Sequence, residues 1–115
     1  MAISADPLNI VICGVGGQGN ILLSGMVGGA FLRKGYFATI GETFGAAQRG
    51  GAVFSAVRVS KKREYGPLIP EGKAHLILGL EPLETLRMVQ KYANQDTVCI
   101  SNVYPVIPAG VSASR

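Results

Sequence analysis

Apolar residues run almost unbroken from Leu8 to Cys13, stop at a group of glycines, and resume between Asn20 and Lys34. The first run has the length of a strand, and the second has the period of a helix. Gly14-Val15-Gly16-Gly17-Gln18-Gly19 forms the turn between them. The pattern predicts a helix from Gln18 to Lys34, a strand over Phe37 to Ile40 with Glu42 just beyond it, and a loop from Thr43 to Gly51. Ala52 to Val59 alternates and is rich in β-branched residues, which predicts a third strand. Lys61 to Pro70 is an irregular segment containing two prolines. Ala74 to Leu80 is a near-continuous apolar run, the kind of strand buried on both faces. Glu81-Pro82 opens a helix that ends near Ala93 with Asn94 as a cap, because proline is harmless in a first turn. Thr97 to Ser101 is a fifth strand, and Val103 to Arg115 reads as a loop.

This order predicts an α/β fold, Rossmann-like, with a largely parallel sheet and flanking helices. Any ligand crevice then lies at the carboxyl ends of the strands. A fifth strand followed by a loop calls for a further helix. The single domain over residues 1–115 therefore reads as incomplete at its C-terminus, with strand Ala74 to Leu80 partly open and the isolated chain poorly soluble.

The glycine turn suits an anion. Gly14 lets the chain leave the strand with unusual φ, Gly16 lets a ligand approach the backbone, and Gly19 lets the helix press on the sheet. The helix N-terminus adds free N–H groups and a partial positive charge. A tight turn that binds nothing stays open as an alternative. No Gly-Lys-Ser/Thr follows, so the turn is not a Walker A loop. Gly25, Gly28 and Gly29 each cost a helix about 1 kcal/mol against Ala, which predicts close approach by a neighbour.

Composition narrows the picture. Only 16% of residues are charged and 48% are hydrophobic, so partner subunits are expected to cover a sizeable face. The net charge is +4 with basic residues scattered along the chain, apart from Lys61-Lys62-Arg63. This suits a small anion or an acidic partner and argues against nucleic acid, because few aromatics interleave. Pro7 to Leu32 holds no charge, but Asn9, Gln18, Asn20 and the glycines interrupt it, so no membrane span is expected. The N-terminus lacks a basic signal-peptide region, which points to the cytoplasm. The two cysteines, Cys13 and Cys99, sit in apolar runs and read as buried free thiols, and His75 as a packed, hydrogen-bonded residue.

Glu42 and Gln48-Arg49-Gly50-Gly51 join the glycine turn as a candidate constellation. Arg49 can reach an anion and the double glycine lets the backbone pass close by. At these residues the chain resembles the gamma domain of 2-oxoacid:ferredoxin oxidoreductases, closest to the beta subunit of indolepyruvate ferredoxin oxidoreductases. The resemblance is carried by Gly14-Val-Gly-Gly-Gln-Gly19, Glu42 to Gly51, Pro67-Leu-Ile-Pro70 and Gly79-Leu-Glu-Pro-Leu-Glu84. It departs at Phe44-Gly-Ala-Ala, where indolepyruvate enzymes commonly carry a His-Gly-Met-type stretch, and in ending earlier than the family's domain.

The resemblance implies oxidative decarboxylation of a 2-oxoacid, indolepyruvate or a similar aryl 2-oxoacid, to an acyl-coenzyme A. Thiamine diphosphate, Mg and iron–sulfur clusters sit on partner subunits and ferredoxin accepts the electrons. This chain carries no catalytic or metal-binding residue of its own and shapes the coenzyme A side. Carried over by position, Gly14, Gly16, Gly17, Gln18, Gly19 and Asn20 line the phosphate or pantetheine path. Arg49, Gly50 and Gly51 face the same cleft, and Glu42 orients Arg49 or meets a partner. The other readings are a free-standing NAD(P)-binding domain, with Glu42 on a ribose, and a non-catalytic structural subunit.

Overall fold

The computed structural model describes residues 3–15, 19–43 and 52–103. Five strands and two helices follow in the order β1 (Leu8–Val15), α1 (Asn20–Arg33), β2 (Phe37–Thr43), β3 (Ala52–Ser60), β4 (Leu76–Gly79), α2 (Pro82–Tyr92) and β5 (Val98–Ser101). The sheet order is β2-β3-β1-β4-β5. β1, β4 and β5 pair in parallel. β3 lies antiparallel between β1 and β2. Four strands thus point one way, as an α/β fold requires, and β3 alone runs back.

Side-chain alternation along β1 builds two cores. Ile10 and Ile12 join Val57, Val59 and Tyr36 beneath Leu23, Val27 and Phe31 of α1. Val11 and Cys13 join Ala56, Ile77 and Tyr92 with Met88 and Val89 of α2. The two helices therefore cover opposite faces, α1 over β1–β3 and α2 over β1, β4 and β5. The segment after β3 closes much of what α2 leaves open. Arg58 fixes it: Nε donates to Asn9 Oδ1 at 2.9 Å, and Nη1 donates to the Gly66 and Leu68 carbonyls at 3.1 and 2.9 Å.

Two surfaces stay apolar and open. On the α1 side of β4 and β5, Leu76 and Leu78 are half-buried, and Val98 and Ile100 are 57% and 59% exposed. The outer face of α1 carries Leu22 and Met26 at 69% and 60% exposure, with Ile21 and Leu32 beside them. An α-helix apolar on both faces is normally enclosed. Cys99 is exposed rather than buried, because β5 is an edge strand whose four residues all stay exposed. No helix among those residues is long and apolar enough to cross a membrane.

The glycines divide by cause. A Cβ on Gly28 would lie 2.6 Å from Ile40 Cδ1, so β2 is the close neighbour there. Gly25 has nothing within 4 Å. A Cβ on Gly41 would meet Pro67 at 2.7 Å, and one on Gly79 would collide with Thr85. Gly79→Ala is therefore expected to destabilise the domain by about 1–3 kcal/mol through overpacking. Gly25→Ala is expected to stabilise it by about 0.5–1 kcal/mol. Thermal midpoints moving in opposite directions confirm this division, and both falling contradicts it.

Candidate functional site

Strand polarity assembles the site. Because β3 runs backward, its first residue, Ala52, lies opposite Val15, the last residue of β1. Thr43, at the end of β2, lies opposite Phe54. The chain segment 44–51 thus leaves and re-enters the sheet at the end where β1 meets the glycine turn. In an all-parallel sheet the residues before β3 would sit at the far end. The backward strand is what brings Thr43 and Ala52, which flank segment 44–51, to the end of the sheet where β1 finishes. Gly16, Gly17, Gln18, Arg49, Gly50 and Gly51 themselves lie outside the described residues.

Gly14 does not break the strand. It pairs with Val53 inside β1, and its φ is not in the left-handed region. That conformation falls instead at Gly19, the N-cap of α1, with φ +88°. Nothing lies within 4 Å of a Cβ built there, so backbone conformation rather than helix–sheet packing selects this glycine. Asn20, the first helical residue, is buried and donates from Nδ2 to Ser55 Oγ on β3 at 2.7 Å. Its Oδ1 is also buried and has no hydrogen-bond partner among the described residues. A buried acceptor left single costs about 1–3 kcal/mol.

The two helices begin at the same end of the sheet, and their N-termini are treated oppositely. Glu81 caps α2, its Oε1 accepting the Glu84 N–H at 2.9 Å, and Glu84 adds a carboxylate to the first turn. α1 has no side-chain cap and no acid in its first turn. Its first internal bond is Leu23 N–H to the Gly19 carbonyl at 2.9 Å. The N–H groups of Asn20, Ile21 and Leu22 therefore precede the helical ladder, at the positive end of the dipole. Among the described residues, one helix terminus is closed by its own chain and the other has no side-chain cap.

Glu42 lies within β2 rather than beyond it, opposite Ser55, and is exposed. It borders a cleft of about 100 Å³ with Gly41, Phe54, Leu68 and Tyr92. Since β3 separates β2 from β1, Glu42 stands two strand spacings, about 10 Å, from the glycine strand. A ribose clamp needs the two strands adjacent, so this geometry does not support the dinucleotide reading. His75 is hydrogen-bonded as expected, Nδ1 accepting the Asn9 N–H at 2.9 Å. Burial pushes the Cys13 thiol up to about 11, partly opposed by a hydrogen bond with Thr85. It is therefore a neutral packing group near pH 7. Ser55 carried no signal in the sequence, because its role depends on the direction of β3.

A family profile described as pyruvate ferredoxin/flavodoxin oxidoreductase matches residues 9–115. The chain belongs to this family. Relatives within the pyruvate ferredoxin/flavodoxin oxidoreductase family include indolepyruvate oxidoreductase subunit IorB of Archaeoglobus fulgidus, 46% identical over 92% of this chain and 51% of that protein. IorB of Thermococcus kodakarensis is 43% identical over 90% of this chain and 50% of that protein. The chain thus spans about half the length of the curated relatives it matches. Its fold is similar to that of the pyruvate oxidoreductase subunit PORC of Thermotoga maritima. The TM-score is 0.66 at 18% identity, over 87% of this chain and 52% of that one. A keto/oxoacid ferredoxin oxidoreductase gamma subunit of Geobacter sulfurreducens gives a TM-score of 0.53 at 22% identity, over 82% and 60% of the two chains.

The cap of α2 generates a pH prediction. Burial raises the Glu84 carboxyl, and Arg87, with Nη1 3.4 Å from Glu84 Oε2, only partly offsets it. A raised acid pKa in the folded state means that ionisation costs stability, which is lost as pH rises through the Glu84 range. Glu84→Gln is expected to exceed the wild type in urea midpoint at pH 7. Below about pH 4, the ordinary glutamate value, that advantage is expected to vanish. A Gln variant less stable at pH 7 contradicts this sign.

Proposed function

We propose that this chain is part of a subunit of a thiamine diphosphate-dependent 2-oxoacid:ferredoxin oxidoreductase. The substrate is indolepyruvate or a similar aryl 2-oxoacid. The relatives named IorB support that substrate class. The open apolar face of α1 supports a subunit role, since such surface is normally buried in an assembly. Thiamine diphosphate, Mg and the iron–sulfur clusters belong to partner subunits in this reading, and ferredoxin receives the electrons. The donor set here does not fit a cluster. The chain has two cysteines, and one is a buried neutral thiol.

This chain's own contribution is to receive coenzyme A. The observation that carries the reading is the open start of α1: an uncapped helix N-terminus beside a buried, unpartnered Asn20 Oδ1. The two features ask for different chemistry. Helix N–H groups suit phosphate oxygens, whereas the Asn20 oxygen suits an N–H or O–H donor. Coenzyme A offers both, as phosphates and as the amides of its pantetheine arm. Gly16, Gly17 and Gln18 let its chain pass close to the backbone, and Gly19 sets the helix start. Arg49, flanked by Gly50 and Gly51, supplies charge from the segment that β3 returns to this end. Glu42 orients Arg49 or meets a partner subunit. Held this way, the thiol end is presented to the acyl group formed on the partner.

The kinetic test uses the assembled enzyme. Arg49→Ala removes charge-assisted bonds worth about 1.5–3 kcal/mol, so the KM for coenzyme A is expected to rise roughly tenfold or more. Decarboxylation of the 2-oxoacid without coenzyme A is expected to change little. Arg49→Lys restores the function only in part, because the planar fork is lost. Gly16→Val and Asn20→Ala are expected to act on coenzyme A in the same direction. Unchanged coenzyme A kinetics in variants that assemble normally would make the turn a structural element only.

A further inference from the structure

Nine Lys and Arg residues lie in the described segments, dispersed along the sequence. The fold gathers eight of them at the end of the sheet opposite the glycine turn. Arg33 and Lys34 stand where α1 ends. Lys61, Lys62 and Arg63 follow β3, whose last residue, Ser60, lies opposite Phe37 at the start of β2. Lys91 is in the last turn of α2, and its carbonyl accepts the Gly72 N–H beside Lys73. Arg58 projects from β3 into the same region. Four acids share this end, Asp6, Glu64, Glu71 and Asp96, and Asp6 is turned onto the Lys61 backbone N–H at 3.0 Å. Among the described residues no ion pair neutralises these cations; the pair that is present, Arg87–Glu84, lies on α2 away from them. The other end of the sheet carries Glu42, Glu81 and Glu84. Charge is therefore separated along the strand axis.

A concave seat lies within the basic end. An open cleft of about 440 Å³ is bordered by Asp6, Asn9, Arg58, Lys73, His75 and Asn94, the Asp6 carboxylate being engaged by the Lys61 backbone N–H. Its borders are rich in unpartnered donors. Because His75 Nδ1 accepts the Asn9 N–H, a neutral ring carries its proton on Nε2. Arg58 Nη2 and the Lys73 ammonium have no hydrogen-bond partner among the described residues. The complement of three such donors is a carboxylate. Nucleic acid suits the surface less well, since the nearby rings are committed to cations. Arg58 and Arg63 lie 5.1 and 4.4 Å from the Tyr65 centroid, and Lys61 lies 5.7 Å from that of Tyr36. Base stacking needs such faces free.

We infer that the amino end of the sheet docks the acidic face of a partner subunit, with one carboxylate of that face seated between Arg58, Lys73 and His75. This inference rests on the subunit reading above. It assigns the two ends of the sheet to different tasks, small-molecule binding at one and protein docking at the other. An interface of this type is steered electrostatically, so its association rate depends on salt.

The test is zero-length carbodiimide cross-linking of the complex purified with the full-length polypeptide, read by mass spectrometry. Lys61, Lys62 and Lys73 are expected to join Asp or Glu residues of one partner subunit. The triple charge reversal Lys61→Glu, Lys62→Glu, Lys73→Glu is expected to slow association about tenfold or more at low ionic strength, with unchanged thermal unfolding. If that variant does not fold, the neutral triple Gln variant gives the same readout. A complex whose cross-links fall elsewhere, and whose assembly ignores the triple variant, overturns the docking surface and leaves the subunit reading intact. Nuclease-sensitive nucleic acid that co-purifies with the wild type and is lost from the variant overturns it in favour of a polynucleotide. A full-length chain that forms no complex removes both readings.

Discussion

The backward course of β3 is the constraint on which the site depends. Its pairing with β1 from Leu8–Val59 to Val15–Ala52 leaves no freedom in where the preceding segment emerges. A slip of one residue would turn Val57 and Val59 away from α1 and expose them. The same hydrophobic alternation that buries those side chains therefore fixes Ala52 beside Val15, at the sheet end where β1 finishes. It also places Ser55 under the first residue of α1, where it holds the Asn20 amide by Nδ2 and leaves Oδ1 single.

Much of this fold was legible in the pattern of residues. Period and length found all seven elements, and the glycine turn and Glu81-Pro82 marked where both helices start. The direction of β3 was not legible, because alternation is identical in parallel and antiparallel strands. That one ambiguity explains the misplacement of Glu42, which lies inside β2 and away from β1. It also explains why Ser55 went unnoticed. The glycines were misjudged individually for a related reason. Position in a G-x-G-x-x-G pattern does not reveal which residue adopts positive φ, and of the two described glycines of the motif it is Gly19, with Gly14 in regular pairing. Clustered charge was equally hidden, since Lys34, Lys61, Lys73 and Lys91 meet only through the fold. Cys99 looked buried because its neighbours are apolar, yet β5 is an edge strand whose residues are exposed.

The chain separates its tasks by helix terminus and by sheet end. α2 closes its own start with Glu81 and so invests that terminus in stability. Among the described residues, α1 has no cap at its start and the Asn20 Oδ1 beside it has no partner. Local departures of this kind concentrate at functional positions. Eight of the nine described Lys and Arg residues lie at the far end, so in the proposed reading an anionic ligand at the glycine turn and an acidic protein face need not compete. The exposed faces of α1 and β5 add apolar surface to an unusually low-charge domain, consistent with a component that is enclosed when assembled.

Hydrogen–deuterium exchange of the assembled full-length enzyme, with and without coenzyme A, tests the central claim most directly. If the open terminus of α1 receives this ligand, amides of residues 19–23 become protected when coenzyme A binds. Those at the capped start of α2, residues 83–85, do not change. Equal exchange at residues 19–23 in the two states, with protection appearing elsewhere on this chain or not at all, would contradict the account.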